Sequence, residues 1–349
     1  MANPIPERSP QIKAEAAAPR MKAAICTAYG SPDVVQIRDV EKPVPKDDEV
    51  LIRVRAASLN PADWHMKRGK PHIMRLMTGL HKPKDARLGS DVAGEIEAVG
   101  RNVTEFNPGD EVFGSCHGAF AEYACALESA LAKKPENVTF EQAASVPIAA
   151  YTALQGLRDK GKVQPAQKVL IHGASGGVGT FAVQIAKWLG ADVTAVCSTR
   201  NVELVRSIGA DRVIDYTQRD FTTDGQRYDV IFDLVGNHSL TAVRRVLNRE
   251  GIYIGAGILG SSLSMIGILT GLIATLVRSR FVSQQVVMLM AKRCKDDLLL
   301  MQELLKTGKV RPVIDKCYSL SEVSEAIRHL EGKHARGKIV IAVREPHKN

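Results

Sequence analysis

The run Val169-Leu-Ile-His-Gly-Ala-Ser-Gly-Gly-Val-Gly-Thr-Phe-Ala-Val-Gln-Ile-Ala-Lys-Trp-Leu-Gly190 constrains this chain more than any other, because a strand, a glycine turn and a helix follow one another without interruption. Val169 to Ile171 is an apolar β-rich run, and Phe181, Ile185 and Leu189 recur at helical spacing beyond the turn. Gly173, Gly176, Gly177 and Gly179 lie between. A pyrophosphate approaches a backbone only where side chains are missing, and the N–H groups of the following helix then face its negative charge. The strict pattern is Ala174-x-Gly176-x-x-Gly179, with alanine in place of the first glycine of the common dinucleotide fingerprint. A second strand at Val193 to Cys197 supplies the context that turns a glycine pattern into a dinucleotide site. The expected phosphate cradle is Ala174, Ser175, Gly176, Gly177, Val178 and Gly179; the competing reading is a glycine-rich turn in another α/β domain.

The chain has 349 residues, enough for two domains, and 45% hydrophobic with 24% charged residues is ordinary for a globular protein with a sizeable core. Its formal charge of +9 is spread along the sequence, without a basic run interleaved with aromatics, so a nucleic-acid partner is not expected. The charge suits a phosphate-bearing cofactor instead. Cys26, Cys116, Cys125, Cys197, Cys294 and Cys317 lie far apart, with no pair at metal-ligand spacing, and read as free thiols in a reducing compartment. Residues 1–20 lack the apolar core of a secretory signal and carry Glu7 and Glu15, against a transit peptide. The expectation is a disordered tail on a cytoplasmic protein.

One stretch complicates that picture, since residues 251–277 contain no charged residue. By length the segment is able to span a bilayer. Ile252 to Ile254, however, fall where a nucleotide-binding sheet needs its fifth strand. Three readings stand for 258–277: a transmembrane helix, peripheral membrane contact, or a helix over the active-site cleft or dimer seam.

Up to about Pro147 the sequence is strand-like and turn-rich, with Glu49-Val-Leu-Ile-Arg-Val-Arg55 and Val92-Ala-Gly-Glu-Ile-Glu-Ala-Val99 in the two-residue rhythm of half-buried strands and Asn107-Pro-Gly-Asp110 as a tight turn. From about Ile148 strands and helices alternate. Strands are expected at Val169–Ile171, Val193–Cys197, Arg212–Ile214, Val230–Leu234 and Ile252–Ile254, with a sixth at Arg280 to Met288. Such alternation predicts a doubly wound parallel sheet covered by helices on both faces. A helical run at Lys295 to Lys306 ends at Gly308. Strands at Val310–Asp315 and Gly337–Val343 then flank a helix near Glu322 to Glu331, a rhythm that pairs the tail with the N-terminal part.

The ordered series of motifs carries a resemblance. Its members are Met21-Lys-Ala-Ala; Asn60-Pro-Ala-Asp-Trp-His-Met-Lys-Arg-Gly69; Leu88-Gly-Ser-Asp-Val-Ala-Gly94; Gly109-Asp-Glu-Val112; Gly118-Ala-Phe-Ala-Glu-Tyr123; Ile148-Ala-Ala-Tyr-Thr-Ala-Leu154; the glycine turn; and Ile208-Gly-Ala-Asp-Arg-Val-Ile-Asp-Tyr216. With these the chain resembles the medium-chain dehydrogenase/reductases, within them the zinc-free quinone oxidoreductase and zeta-crystallin group. Val196-Cys-Ser-Thr-Arg-Asn201 and Gly332-Lys-His-Ala-Arg-Gly-Lys338 are similar to the branch of chloroplast-envelope quinone oxidoreductase homologues and the reticulon-interacting mitochondrial member. The resemblance implies a GroES-like catalytic domain from residues 21–147 and 291–349, a Rossmann cofactor domain at 148–290, and a homodimer. In zinc-dependent relatives a cysteine, a Gly-His-Glu segment and a later cysteine or histidine hold a catalytic metal. Here Asn60 and Gly89-Ser90-Asp91 stand in the first two places and the four-cysteine structural lobe is absent, so no metal is expected.

The second strand of the cofactor domain ends Cys197-Ser-Thr-Arg-Asn201, without the carboxylate that bonds the ribose of NAD. Ser198 and Thr199 can donate to a 2′-phosphate and Arg200 can form charge-assisted bonds, so NADPH is expected; the competing reading of Arg200 is a solvated arginine. The resemblance adds Tyr216 as an adenosine contact, Thr152 and the backbone of Gly255, Ala256 and Gly257 near the nicotinamide, and Lys338 among the cofactor-binding residues. It also places Asn60 beside the nicotinamide, where its amide would orient substrate or cofactor; the competing reading is a turn-forming Asn-Pro. His65 falls where several relatives carry tyrosine and is a candidate proton relay, or else an exposed or structural histidine. Asp63 and Asp91 read as structural carboxylates bonding loop N–H groups, and His117 receives no role.

Without a Lewis acid, the chemistry that fits is hydride addition to an activated double bond or a quinone, whose charge delocalises, with reacting atoms about 3–3.5 Å apart. The leading expectation is therefore an NADPH-dependent reductase of α,β-unsaturated carbonyls or quinones. The alternatives are a zinc-free carbonyl or alcohol oxidoreductase, and an NADPH-binding interaction protein at a membrane.

Overall fold

The structure is a computed structural model that describes residues 18–69, 75, 79–256, 283–332 and 335–343. A hairpin of β1 (Arg20–Cys26) and β2 (Val35–Glu41) opens the chain. Next come β3 (Glu49–Leu59), helix α1 (Pro61–Arg68), β4 (Asp91–Val99), β5 (Glu111–Ser115), β6 (Tyr123–Leu127) and β7 (Leu131–Lys133). Helices α2 (Phe140–Ala144) and α3 (Pro147–Leu154) lead into the alternating part. That part holds β8 (Lys168–His172), α4 (Gly177–Trp188), β9 (Asp192–Cys197), α5 (Val202–Ser207), β10 (Arg212–Asp215), β11 (Tyr228–Asp233), α6 (Leu240–Arg245), β12 (Leu247–Ala256) and β13 (Gln285–Leu289). The chain closes with α7 (Lys295–Lys306), β14 (Ile314–Ser319), α8 (Val323–Glu331) and β15 (Lys338–Ala342).

The alternating part forms a six-stranded sheet in the order β10-β9-β8-β11-β12-β13, every pairing parallel. This is the doubly wound order in which the connections reverse direction between the first and fourth strands, here β8 and β11, and ligands bind in the crevice beyond those strand ends. The glycine turn leaves β8 at that point. Val169, Ile171, Val193, Ala195, Val230 and Phe232 meet Phe181, Ala182 and Ile185 of α4 in one buried core. Each fully buried Val, Ile or Phe contributes about 1.5–3 kcal/mol, so the turn is held from both sides.

The second sheet runs β14-β15-β3-β4-β5-β7, with β6 paired to β3, so strands from both ends of the chain share it. β15 lies antiparallel to β3 with Ile339 opposite Leu59, and β4 lies on the other side of β3 with Asp91 opposite Ser58. Continuing the first register puts Lys338 across from Asn60. Three strand ends thus deliver Lys338, Asn60 and Asp91 to one spot.

Several boundaries depart from the sequence reading; the sixth strand, expected at Arg280 to Met288, begins only at Gln285 and ends at Leu289. The strand expected at Val310–Asp315 begins at Ile314 and runs to Ser319. Pro312 lacks the N–H a ladder needs, and Val310 turns into the core beside Leu304 and Leu305 instead. The first strand begins at Arg20, paired with Glu41, one residue before the expected limit of the tail. Gly257 and the segment 258–277 lie outside the described residues. Among the described residues no helix is long and apolar enough to cross a membrane.

Candidate active site

Gly176 precedes the first residue of α4 in extended conformation and offers no side chain to cap it, so the first N–H groups of the helix keep their donors for a ligand. Ser175 to Val178 are half-exposed there. The glycines differ in purpose. A Cβ on Gly179 would lie 2.1 Å from the Gly173 carbonyl oxygen, so this glycine lets helix and strand close on each other. A Cβ on Gly176 would meet only that oxygen, at 3.5 Å, leaving its face open for a phosphate. A Cβ on Gly177 would press on Cδ of Lys338 at 2.9 Å, and Gly176 itself bridges to Gly337. The turn therefore touches the strand that carries Lys338.

At the far end of the turn, Asn201 Nδ2 donates to Ser175 Oγ at 2.9 Å and to Ser198 Oγ at 3.1 Å. Thr199 Oγ1 lies 2.9 Å from Thr217 Oγ1, which donates to Asp215, so in this arrangement the Thr199 proton is directed to Thr217 Oγ1. Arg200 is exposed beside them, and Tyr216, 58% exposed, follows β10 with its N–H on the Cys197 carbonyl. Ser175, Ser198, Thr199 and Arg200 thus gather near the end of β9. Asn201 was not among the expected cofactor residues, although an amide side chain directly after the polar run marks it in the sequence.

The other end of the seam holds a buried charged cluster. Pro61 forces Asn60 into extended backbone and starts α1 with its fixed φ, so Asn60 sits at the helix entrance, 3% exposed. Its Oδ1 accepts from Lys338 Nζ at 2.6 Å and its Nδ2 donates to Asp91 Oδ2 at 2.9 Å. Asp91 also accepts from Ser58 Oγ at 3.0 Å and from the Ile148 N–H at 3.2 Å, and Lys338 Nζ stands 3.6 Å from its Oδ2. Burial pushes the Lys338 ammonium below the lysine range while Asp91 and Asp63 pull it back. Burial raises Asp91 in turn, with Lys338 opposing. Asp63 accepts from the Asn60 N–H and from Ser90 Oγ. Its carboxyl is pushed up to about 6, first by burial and further by the charge of Asp91, against the Ser90 bond.

Thr152 is half-buried on α3, and its hydroxyl proton goes to the Ile148 carbonyl at 2.7 Å, leaving the oxygen as an acceptor. Gly255 and Ala256 close β12 opposite Met288 and Leu289 of β13. His65 is exposed on the last turn of α1.

A second buried group was missed by sequence reasoning. His172 and Asp233 end the neighbouring strands β8 and β11, and their Nδ1 and Oδ1 atoms are 3.0 Å apart. Asp233 also accepts from Tyr253 Oη and from the N–H groups of Val235 and Gly236. Burial works against its ionisation, but the His172 contact and these N–H bonds prevail and hold it at about 2. The signal was polar residues closing the apolar runs Val169-Leu-Ile-His172 and Val230-Ile-Phe-Asp233. Tyr253 and this pair tie the three central strands together beneath the ligand crevice.

The residues in the zinc-ligand positions do not fit that ion. Zinc needs several converging nitrogen, sulfur or carboxylate donors, whereas Asn60 Oδ1 and Asp91 Oδ2 already face an ammonium. Among the described residues no group of three His, Cys, Asp or Glu converges for a metal. A nicotinamide dinucleotide does fit, through the open glycine cradle and the polar cluster after β9.

Residues 46–136 match the family described as "Alcohol dehydrogenase GroES-like domain", and residues 208–341 match that described as "Zinc-binding dehydrogenase". The chain is 36% identical to the 2-methylene-furan-3-one reductase of Solanum lycopersicum, over 92% of this chain and 79% of that protein. It is 34% identical to the chloroplastic NADPH-dependent alkenal/one oxidoreductase of Arabidopsis thaliana, over 95% and 82%. The quinone oxidoreductase structure from Coxiella burnetii superposes with a TM-score of 0.80 at 31% identity, covering 93% of this chain and all of that one. With a GroES-like sheet drawn from both ends of the chain and a Rossmann sheet carrying the glycine turn between them, the chain belongs to the medium-chain dehydrogenase/reductases, in their quinone oxidoreductase group.

Proposed function

We propose that the protein is a zinc-independent, NADPH-dependent reductase that adds hydride to the β-carbon of an α,β-unsaturated carbonyl, or to a quinone. The observation that carries this reading is the Lys338–Asn60–Asp91 cluster, whose Lys338 lies on the strand next to the glycine turn. When bound, the reduced nicotinamide supplies the hydride. The chain's own part is electrostatic. Asn60 Nδ2 has two hydrogens and spends one on Asp91, while its carbonyl is polarised by the Lys338 ammonium. The second N–H is thereby a strengthened donor for a substrate oxygen that gains charge as hydride arrives.

Such an enolate or hydroquinone anion takes its proton from water, and a delocalised anion needs no metal. The names of the tomato and Arabidopsis relatives, a furanone reductase and an alkenal/one oxidoreductase, support the same substrate class. NADPH rather than NADH is supported by the absence of a carboxylate at the end of β9 and by Ser198 and Arg200 there. Removing one oriented oxyanion donor costs roughly 3–4 kcal/mol in well-studied sites, so Asn60→Ala should lower kcat with an enone about 100- to 1000-fold while NADPH still binds. An unchanged kcat would remove Asn60 from the chemistry.

We further propose a homodimer built on the edge strand β13, where Met288 on the strand and Met290 just after it are 51% and 74% exposed, to be checked by sedimentation equilibrium with a monomer result counting against it. Peripheral membrane contact through 258–277 is to be checked by liposome flotation of the whole chain and of a chain lacking that segment; equal partition would reject it.

A further inference from the structure

Asn201 is 5% exposed, and both hydrogens of its amide are committed to serine oxygens, one on the glycine turn and one at the end of β9. A hydroxyl has one proton to give. Because Ser175 Oγ and Ser198 Oγ each receive a hydrogen from Asn201, each keeps its own proton for another partner, and neither donates to another described residue. Asn201 Oδ1 is buried without a partner among the described residues. The opposite amide orientation would strand two N–H donors instead of one carbonyl oxygen and would draw both serine protons inward.

We propose that Asn201 is a positioning residue for cofactor selection, turning the hydroxyl protons of Ser175 and Ser198 outward as paired donors for the 2′-phosphate of the cofactor. Two outward O–H groups suit a dianion, which only accepts. They suit a ribose 2′-hydroxyl less, because that group's own proton then lacks the acceptor that a strand-end carboxylate provides in NAD enzymes. The inference rests on the NADPH reading but not on the identity of the electron acceptor, so binding alone tests it.

The probes are 2′,5′-ADP, which carries the 2′-phosphate, and 5′-AMP, which does not, titrated calorimetrically into the full chain. The wild type should bind 2′,5′-ADP at least tenfold more tightly; equal affinity would overturn the NADPH reading itself. Asn201→Leu removes the orienting amide without adding charge, and it should lower that preference at least fivefold while leaving 5′-AMP affinity within twofold. The same substitution placed on a Ser175→Ala/Ser198→Ala background should cost nothing more, since there are no hydroxyls left to orient. Asn201→Asp accepts both serine protons and adds a negative charge, so it should abolish the preference. A wild-type preference that survives Asn201→Leu, or an equal loss for both probes, would overturn the role of Asn201. Should Asn201→Leu fail to fold, Asn201→Ala carries the same comparison.

Discussion

Lys338 shows how much one buried residue has to satisfy. Its ammonium is enclosed at 3% exposure, its stem rests against Gly177, and its charge is matched by Asp91, which is fully buried. Removing one member of a buried ion pair leaves the other uncompensated and typically costs about 3–5 kcal/mol. Lys338→Met should therefore lower the urea midpoint sharply, and adding Asp91→Asn should recover part of the loss; no recovery would mean that Lys338 contributes through packing alone. Asp63 adds a pH dependence. Its folded pKa, near 6, lies above the ordinary carboxylate value, so its contribution favours the folded state most below pH about 4 and is lost as pH rises from 4 to 6. The stability difference between wild type and Asp63→Asn should shift across that window and be flat above it; a flat difference throughout would contradict the burial argument. The chemistry of Asn60 and Lys338 was suggested by family resemblance, but their bond was not legible, because 278 positions separate them and only the β15–β3 register brings them together.

The unit from β8 through the glycine turn to α4 was legible because its determinants are local. An apolar β-rich run, missing side chains and helical spacing all fall within 20 or so consecutive residues, and the observed strand and helix match the expected ones to within a residue or two. The glycine roles were not legible, since two of them depend on which backbone approaches the turn. Gly179→Ala should destabilise the fold, because its methyl group collides with the Gly173 carbonyl, whereas Gly176→Ala should leave the melting temperature nearly unchanged and weaken NADPH binding at least tenfold. Melting curves and cofactor titrations of the two variants separate these outcomes; similar behaviour of the pair would contradict the division between packing and phosphate contact. The β14 boundary was misread because a β-rich composition at Val310 to Val313 hid the missing donor of Pro312.

At the scale of the molecule, the two large sheets share one buried core, in which Ala56, Ala93, Phe113 and Val340 join Val169, Ile171 and Phe181, and they meet where Gly176 bridges Gly337, next to the Lys338 that reaches Asn60. That seam joins the glycine turn to the Asn60 amide, so on the proposed function one continuous set of contacts would hold both cofactor and substrate groups. The return of the tail to the N-terminal sheet was legible as a change of rhythm, whereas the Asp233 centre under the crevice was not, because strand-end polar residues acquire meaning only once the strands are ordered. The most direct test of the account is NADPH oxidation by the metal-chelated protein with enones, quinones and saturated ketones. Turnover of at least one enone or quinone, undiminished by chelator, and of none of the saturated ketones is expected. Turnover confined to saturated ketones, activity that disappears on chelation, or no turnover of any acceptor despite tight NADPH binding would contradict it.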